Sequence, residues 1–163
     1  MGAIYHASLA HLKKIDRLQI SFLKEIGCTE EEAFLNFNVA PLCLRRDVGM
    51  LGLLFKIAVG RAHPAFGRFF FRVARPENRY DMRHQYHHLQ LREIVLGSRD
   101  AIPGVMQRSL FGLVRIFNRL PKELVDVTSV ASFQRGLTQH SRQLCKRGDP
   151  RWQLAFTGRP VFL

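Results

Sequence analysis

The sequence is short of acid, short of cysteine and without a long apolar run, and each shortage removes a class of function. Its three cysteines, Cys28, Cys43 and Cys145, are odd in number and far apart. No pair stands at the short spacing that zinc ligation or a redox motif needs, and a reducing compartment is the simplest setting for them. The best candidate for a membrane span, residues 48–59, is interrupted by Lys56 and falls short of the roughly eighteen apolar residues a span requires. The start of the chain lacks the charged-then-apolar layout of a signal peptide. Met1-Gly2 opens like a myristoylation site, but His6 stands where that motif wants Ser or Thr. The expected location is intracellular, nuclear or cytoplasmic, with no membrane partner and no compact lysine-rich nuclear signal.

The acids are as sparse. Asp16, Asp47, Asp81, Asp100, Asp126 and Asp149 stand singly, so the clustered carboxylates of two-metal phosphoryl transfer are missing. There is no phosphate-binding glycine loop and no Gly-x-Ser-x-Gly elbow, and nothing local supports a Cys–His dyad. The chain is expected to have no catalytic residues, metal or cofactor, and so not to be an enzyme on its own.

Positive charge is abundant. Lysine and arginine number 25 against 13 acids, for a formal net charge of +12, which biases the protein toward polyanions. Residues 1–60 hold seven basic and six acidic side chains, and residues 61–163 hold eighteen and seven, so +11 of the charge lies in the second part. Arginine outnumbers lysine nineteen to six, and its planar fork suits two-point contact with phosphate and stacking on rings.

The length of 163 residues and 47% apolar content allow one domain with a true core, or two small lobes. Leu9, Leu12, Ile15, Leu18, Phe22 and Ile26 recur at helical spacing and predict an amphipathic helix ended by Gly27. Thr29 with Glu32 forms a capping-box pattern, so a second helix runs to about Phe37, and the Glu30–Glu32 run serves its dipole. A third helix follows Pro41 and ends near Gly60, and Pro64 can open a short fourth. Periodicity resumes at Ser109 and stops at Pro121. Ser129 caps a last long helix with Val130, Phe133, Leu137, His140 and Leu144 inward and Arg135, Arg142, Lys146 and Arg147 outward. The expected fold is mainly α: a helical bundle over residues 1–72, an irregular basic arm or linker over about 73–103, and a C-terminal helical pair with a basic tail over 104–163.

Arg68, Arg72, Arg75, Arg79 and Arg83 are spaced by four, three, four and four, although Pro76 argues against one continuous helix. Phe69, Phe70, Phe71 and Tyr80 interleave with them, a mixture that single-stranded nucleic acid sites use for stacking and phosphate contact. The bland alternative is a core phenylalanine cluster on a solvated basic turn. Arg45 and Arg46 adjoin an apolar face, so one of the two turns toward packed neighbours or a bound anion, or else the pair is exposed and simply solvates its helix. His84, His87 and His88 have no carboxylate or cysteine at ligand spacing, and fit pH-dependent positive charge better than zinc.

Three stretches carry a family resemblance. Residues 12–19, "LKKIDRLQ", then 22–47, "FLKEIGCTEEEAFLNFNVAPLCLRRD", then 50–64, "MLGLLFKIAVGRAHP", resemble the region after the polymerase thumb in reverse transcriptase polyproteins of non-LTR, LINE-type retrotransposons. Residues 108–139, "RSLFGLVRIFNRLPKELVDVTSVASFQRGLTQ", are similar to a stretch near their C-termini, with Asn118, Leu120, Pro121 and Phe133 carrying the likeness. The polymerase's Tyr-x-Asp-Asp segment is absent here, as are an endonuclease-like portion and a cysteine-rich zinc knuckle. The resemblance therefore implies a fragment or degenerate copy of such a polyprotein, in a region expected to support template RNA or target DNA.

The function expected from the sequence is a non-catalytic nucleic-acid-binding accessory region, with Arg45, Arg46, Arg68, Arg72, Arg75 and Arg83 as contacts to the phosphate backbone of RNA or DNA. The alternative is a structural or protein-interaction remnant whose leucine and aromatic faces dock on the polymerase portion of a polyprotein. Binding to anionic membrane surfaces is the weaker third class, because the apolar faces are needed for the core.

Overall fold

Polar side chains cap four of the helix starts, prolines open two others, and left-handed residues follow several of the ends. In the computed structural model, which describes residues 5–74, 87–93, 106 and 109–157, Ser8 caps α1 (Leu9–Glu25) by accepting from the His11 N–H. Thr29 opens α2 (Glu30–Phe37): its hydroxyl accepts from the Glu32 N–H at 3.1 Å, and the Glu32 carboxylate accepts from the Thr29 N–H at 2.9 Å. Asn38, at φ 57°, ends it, a left-handed geometry that asparagine tolerates. Next come α3 (Leu42–Ala58) and a 3₁₀ turn (Pro64–Arg68). After these lie α4 (Leu110–Asn118), capped by Ser109, and the short α5 (Lys122–Val125). The series closes with α6 (Val130–Lys146), capped by Ser129, and a second 3₁₀ turn (Trp152–Leu154). The fold is mainly α, as expected. Among the described residues there is no strand, only one isolated antiparallel bridge between Arg72 and Leu91. No helix there is long and apolar enough to cross a membrane.

The central element is α3, because its sequence is apolar almost all round. Leu44, Val48, Met50, Leu51, Leu54, Phe55 and Ala58 are all buried, with α6, α4 and α1 packed about it. Phe55 stacks on Phe133 of α6 at 4.6 Å between ring centroids, and Phe117 of α4 meets Phe133 edge-on at 6.2 Å. Each such ring contributes about 1.5–3 kcal/mol by burial. Gly52 leaves room for the Gln134 side chain of α6, whose amide a Cβ there would meet. A second aromatic pair, Phe34 on Trp152 at 5.2 Å, ties α2 to the last turn. One core thus draws on helices from both sides of the 73–103 segment.

Two expectations are corrected by long-range polar contacts. The stripe of α1 does not face inward along its length: Leu18 is 71% exposed, and Phe22 and Ile26 are each 59% exposed. The rotation of α1 is fixed instead by Gln19, whose amide donates to the Ala40 carbonyl at 3.2 Å and accepts from the Leu42 N–H at 2.9 Å, and by Asp16, which holds Arg46. Leu12 and Leu23 are the residues of α1 that bury. Arg142, expected to point outward, is half-buried and donates to the Leu35 carbonyl, satisfying a group that the end of α2 leaves open.

Of the expected arm, residues 75–86 and 94–105 lie outside the described residues. Residues 87–93 form no regular element, and His87, Leu89, Gln90 and Leu91 are buried. The His87 ring meets Phe117 edge-on at 4.9 Å. Its Nε2 lies 2.7 Å from the Phe117 carbonyl and its Nδ1 lies 3.2 Å from the Leu89 nitrogen. A carbonyl only accepts, so Nε2 carries the hydrogen and Nδ1 accepts from Leu89, a pattern that only the neutral ring satisfies.

Burial pushes the His87 pKa below its ordinary 6.5, against a smaller upward pull from the Phe117 carbonyl. Above that ordinary value both folded and unfolded chains hold a neutral ring. Below it the unfolded chain takes the proton first, so stability falls until the lowered folded pKa is passed. The urea midpoint should therefore drop between about pH 7.5 and about pH 5, and drop less in His87→Gln. Burial also lowers the His140 pKa, with Arg147 adding to the effect, so a residual dependence remains in the variant. Parallel pH profiles for the two proteins would remove His87 as the source.

Candidate nucleic-acid interface

The basic segment is held to the bundle through α4. The Asn118 carboxamide grips the backbone of Leu91 at both groups, accepting from its N–H at 2.9 Å and donating to its carbonyl at 2.7 Å. Held this way, residues 90–92 pair with residues 71–73: Arg92 N–H donates to the Phe71 carbonyl at 2.7 Å and Val73 N–H to the Gln90 carbonyl at 2.9 Å. Phe69 closes the 3₁₀ turn, its N–H and that of Phe70 both donating to the Phe66 carbonyl at 3.0 Å, and the bridge pairing begins at Phe71. Phe70 is 8% exposed and stacks on Phe111 at 4.8 Å, while Phe69 and Phe71 on either side are 58% and 53% exposed.

Arg68, Arg72 and Arg92 are exposed as well, and among the described residues none of the three forms an ion pair. The result is a short basic surface of Arg68, Phe69, Phe71, Arg72 and Arg92. Exposed rings beside cations offer faces for stacking and charge for phosphate.

The other expected contacts divide. Arg45 is exposed on α3, apart from this bridge. Arg46 is not a free phosphate contact: it is 8% exposed, and its two terminal nitrogens lie 2.7 and 2.8 Å from the Asp16 carboxylate oxygens. That bidentate pair would have to break before a phosphate could replace it. Arg75 and Arg83 lie outside the described residues. Arg92 carried no sequence signal, since its place follows from pairing across the bridge. Of the histidines, His84 is outside the described residues, His87 is committed to the core, and His88 Nδ1 lies 3.5 Å from the Asp126 carboxylate. Among the described residues no three metal-ligating side chains come together.

A cavity of about 310 Å³ lies between α1, the start of α3 and the last 3₁₀ turn. Its polar lining is largely satisfied from within, by Asp16 with Arg46, by Gln19 with the backbone, and by Gln153 Nε2 donating to Glu30 at 3.1 Å. The Cys43 thiol there is pushed up to about 11 by burial, with the Asp16 carboxylate adding to the effect, so at neutral pH it is a thiol and a poor nucleophile. Comparison with family models, curated proteins and solved structures finds no match to the chain.

The alternation at residues 69–71 separates structural from surface roles within three positions. Phe70→Ala should cost about 3 kcal/mol or more, whereas Phe69→Ala and Phe71→Ala should each stay within about 0.5 kcal/mol of the parent. Equal losses at all three in chemical denaturation would show that the outer rings are packed.

Proposed function

We propose that this protein is a non-catalytic nucleic-acid-binding module whose contact surface centres on Arg68, Phe69, Phe71, Arg72 and Arg92. The observation that carries the reading is the exposure of Phe69 and Phe71 between exposed arginines. The two rings stand beside charge, Phe69 at the end of the 3₁₀ turn and Phe71 at the bridge, a pairing of stacking faces with cations that suits single strands. The +11 surplus of residues 61–163 supports the same ligand, because a polyanion is drawn to it at long range. Retroelement origin, as part of a reverse transcriptase polyprotein acting on RNA or DNA inside the cell, is the wider context that the sequence resemblance suggests.

A specific observation favours a second reading, in which a protein partner covers α1. Leu18, Phe22 and Ile26 make an exposed stripe at four-residue steps, the spacing by which helices pack on one another. In that reading the polymerase portion of a polyprotein is the partner.

Titration against single-stranded RNA and duplex DNA tests the first reading. Affinity should fall with salt along a log–log slope of roughly −0.7 to −0.9 per phosphate neutralised. Arg68→Ala and Arg72→Ala should each flatten that slope by about one, and loss of Phe69 or Phe71 should cost about 1–3 kcal/mol toward single strands. Salt-insensitive binding counts against it. The second reading expects concentration-dependent association in sedimentation that Phe22→Glu abolishes, and a strictly monomeric chain that captures no polymerase portion would sink it.

A further inference from the structure

A second basic surface lies on another element. The outer side of α6 and the end of α2 enclose a groove of about 690 Å³ lined by Arg135, Arg142 and Lys146, with Thr138, Gln139, Gln143 and Asn38 between them. Positions 135, 139, 142 and 146 follow steps of four, three and four, so they share one face of the helix. The opposite side, through Phe133, Leu137, Ser141 and Cys145, is buried. Sequence reading placed Arg135 and Lys146 outward on a solvated helix and did not mark them as a site.

Three features give the groove a ligand preference. First, its lining holds three cations and no carboxylate, and α6 contains no acidic residue that could pair with them. The helix dipole accounts for Lys146 in the last turn, but not for Arg135 in the second. Second, the remaining lining residues are amides and a hydroxyl, which donate and accept hydrogen bonds, and none is aromatic. Such a lining suits phosphate and sugar and provides nothing to stack on. Third, Arg135 and Lys146 are eleven positions apart on the helix, or about 16 Å at the α-helical rise, long enough to follow several phosphates of a strand. Arg142 lies between them with its Nε buried and without a hydrogen-bond partner among the described residues. Its terminal nitrogen is engaged with the Leu35 carbonyl, so it forms a fixed positive floor.

We propose that the groove along α6 is a second, sequence-independent site that takes the phosphodiester backbone of a nucleic acid. It extends the function proposed above, on which it rests for the class of ligand. The bridge surface would supply stacking, and the groove would supply backbone contact alone, which positions a strand without reading its sequence.

The test uses the full chain with a labelled mixed-sequence RNA and a labelled DNA duplex at several salt concentrations. Arg135→Ala combined with Lys146→Ala is compared with Arg68→Ala combined with Arg72→Ala. Both groove positions are exposed, so the variant should keep its fold, and circular dichroism checks this. Arg142 is left intact because it closes α2. The groove variant should weaken binding at least about tenfold near 0.1 M salt and flatten the log–log slope by about one to two. Arg135→Lys with Lys146 retained should restore the slope. An unchanged slope and affinity in the groove variant, with loss only in the bridge variant, overturns the groove and leaves the bridge surface standing. Loss only in the groove variant supports the groove and overturns the bridge surface. A chain that binds phosphatidylserine vesicles but neither nucleic acid overturns both.

Discussion

The Asn118 carboxamide is the contact on which the proposed binding surface depends. It sits at the last residue of α4, where a helix exposes its unsatisfied carbonyl end, and its side chain replaces two backbone partners for Leu91. Each bond is worth about 0.5–1.5 kcal/mol net, but leaving a buried backbone group unpaired costs more than making the bond gains. With Leu91 fixed, the segment seals over Phe117 through His87, and its other edge is free to pair with residues 71–73. The exposed Phe71 ring is thus held at the end of a chain of contacts that starts in the core. Phe71 takes its place from this pairing, while Phe69 is held by the 3₁₀ turn before it.

At the other end of the molecule polar contacts overrule hydrophobic pattern. The α1 stripe through Leu18, Phe22 and Ile26 should gain about 1.5–3 kcal/mol per side chain by turning inward. Turning would strip Asp16 from Arg46 and leave a nearly buried guanidinium unpaired, a loss of several kcal/mol for a fully buried pair and somewhat less here because Asp16 retains solvent contact. It would also remove Gln19 from the Ala40 carbonyl and the Leu42 N–H. These contacts settle the rotation together, and the apolar face left outside is their consequence.

What the sequence makes legible follows the range of the forces involved. Caps are local, so Thr29 with Glu32 and Ser129 marked helix starts found in the structure, and the periodicity resuming at Ser109 marked a third. The mainly α fold follows from the same signals. Arg45 and Arg46 were both expected as phosphate contacts, and the inward turn of Arg46 was not legible because the deciding Asp16 is thirty residues away. Burial of His87, Leu89, Gln90 and Leu91 was not readable: the segment is held by Asn118, and no local pattern announces that. The three consecutive phenylalanines gave no hint of which ring faces in, since that depends on where the 3₁₀ turn ends and the pairing with residues 90–92 begins.

The same distinction organises the charges. In the first sixty residues acids and bases are nearly balanced, and the structure spends several of them on structure: Asp16 holds Arg46, Glu32 closes the capping box, and Glu30 receives Gln153. The C-terminal helices have few acids to spend, and two of the ion pairs among the described residues converge on Asp126 alone. An arginine with a carboxylate beside it must release that partner before it can hold a phosphate, and the exchange returns little. An arginine with only water beside it releases counterions from the nucleic acid on binding and gains the full entropic benefit. Among the described residues Arg68, Arg72, Arg92, Arg135 and Lys146 have no carboxylate partner, so in the proposed reading the uneven placing of acids along the chain, more than the total charge, marks where a polyanion would be held.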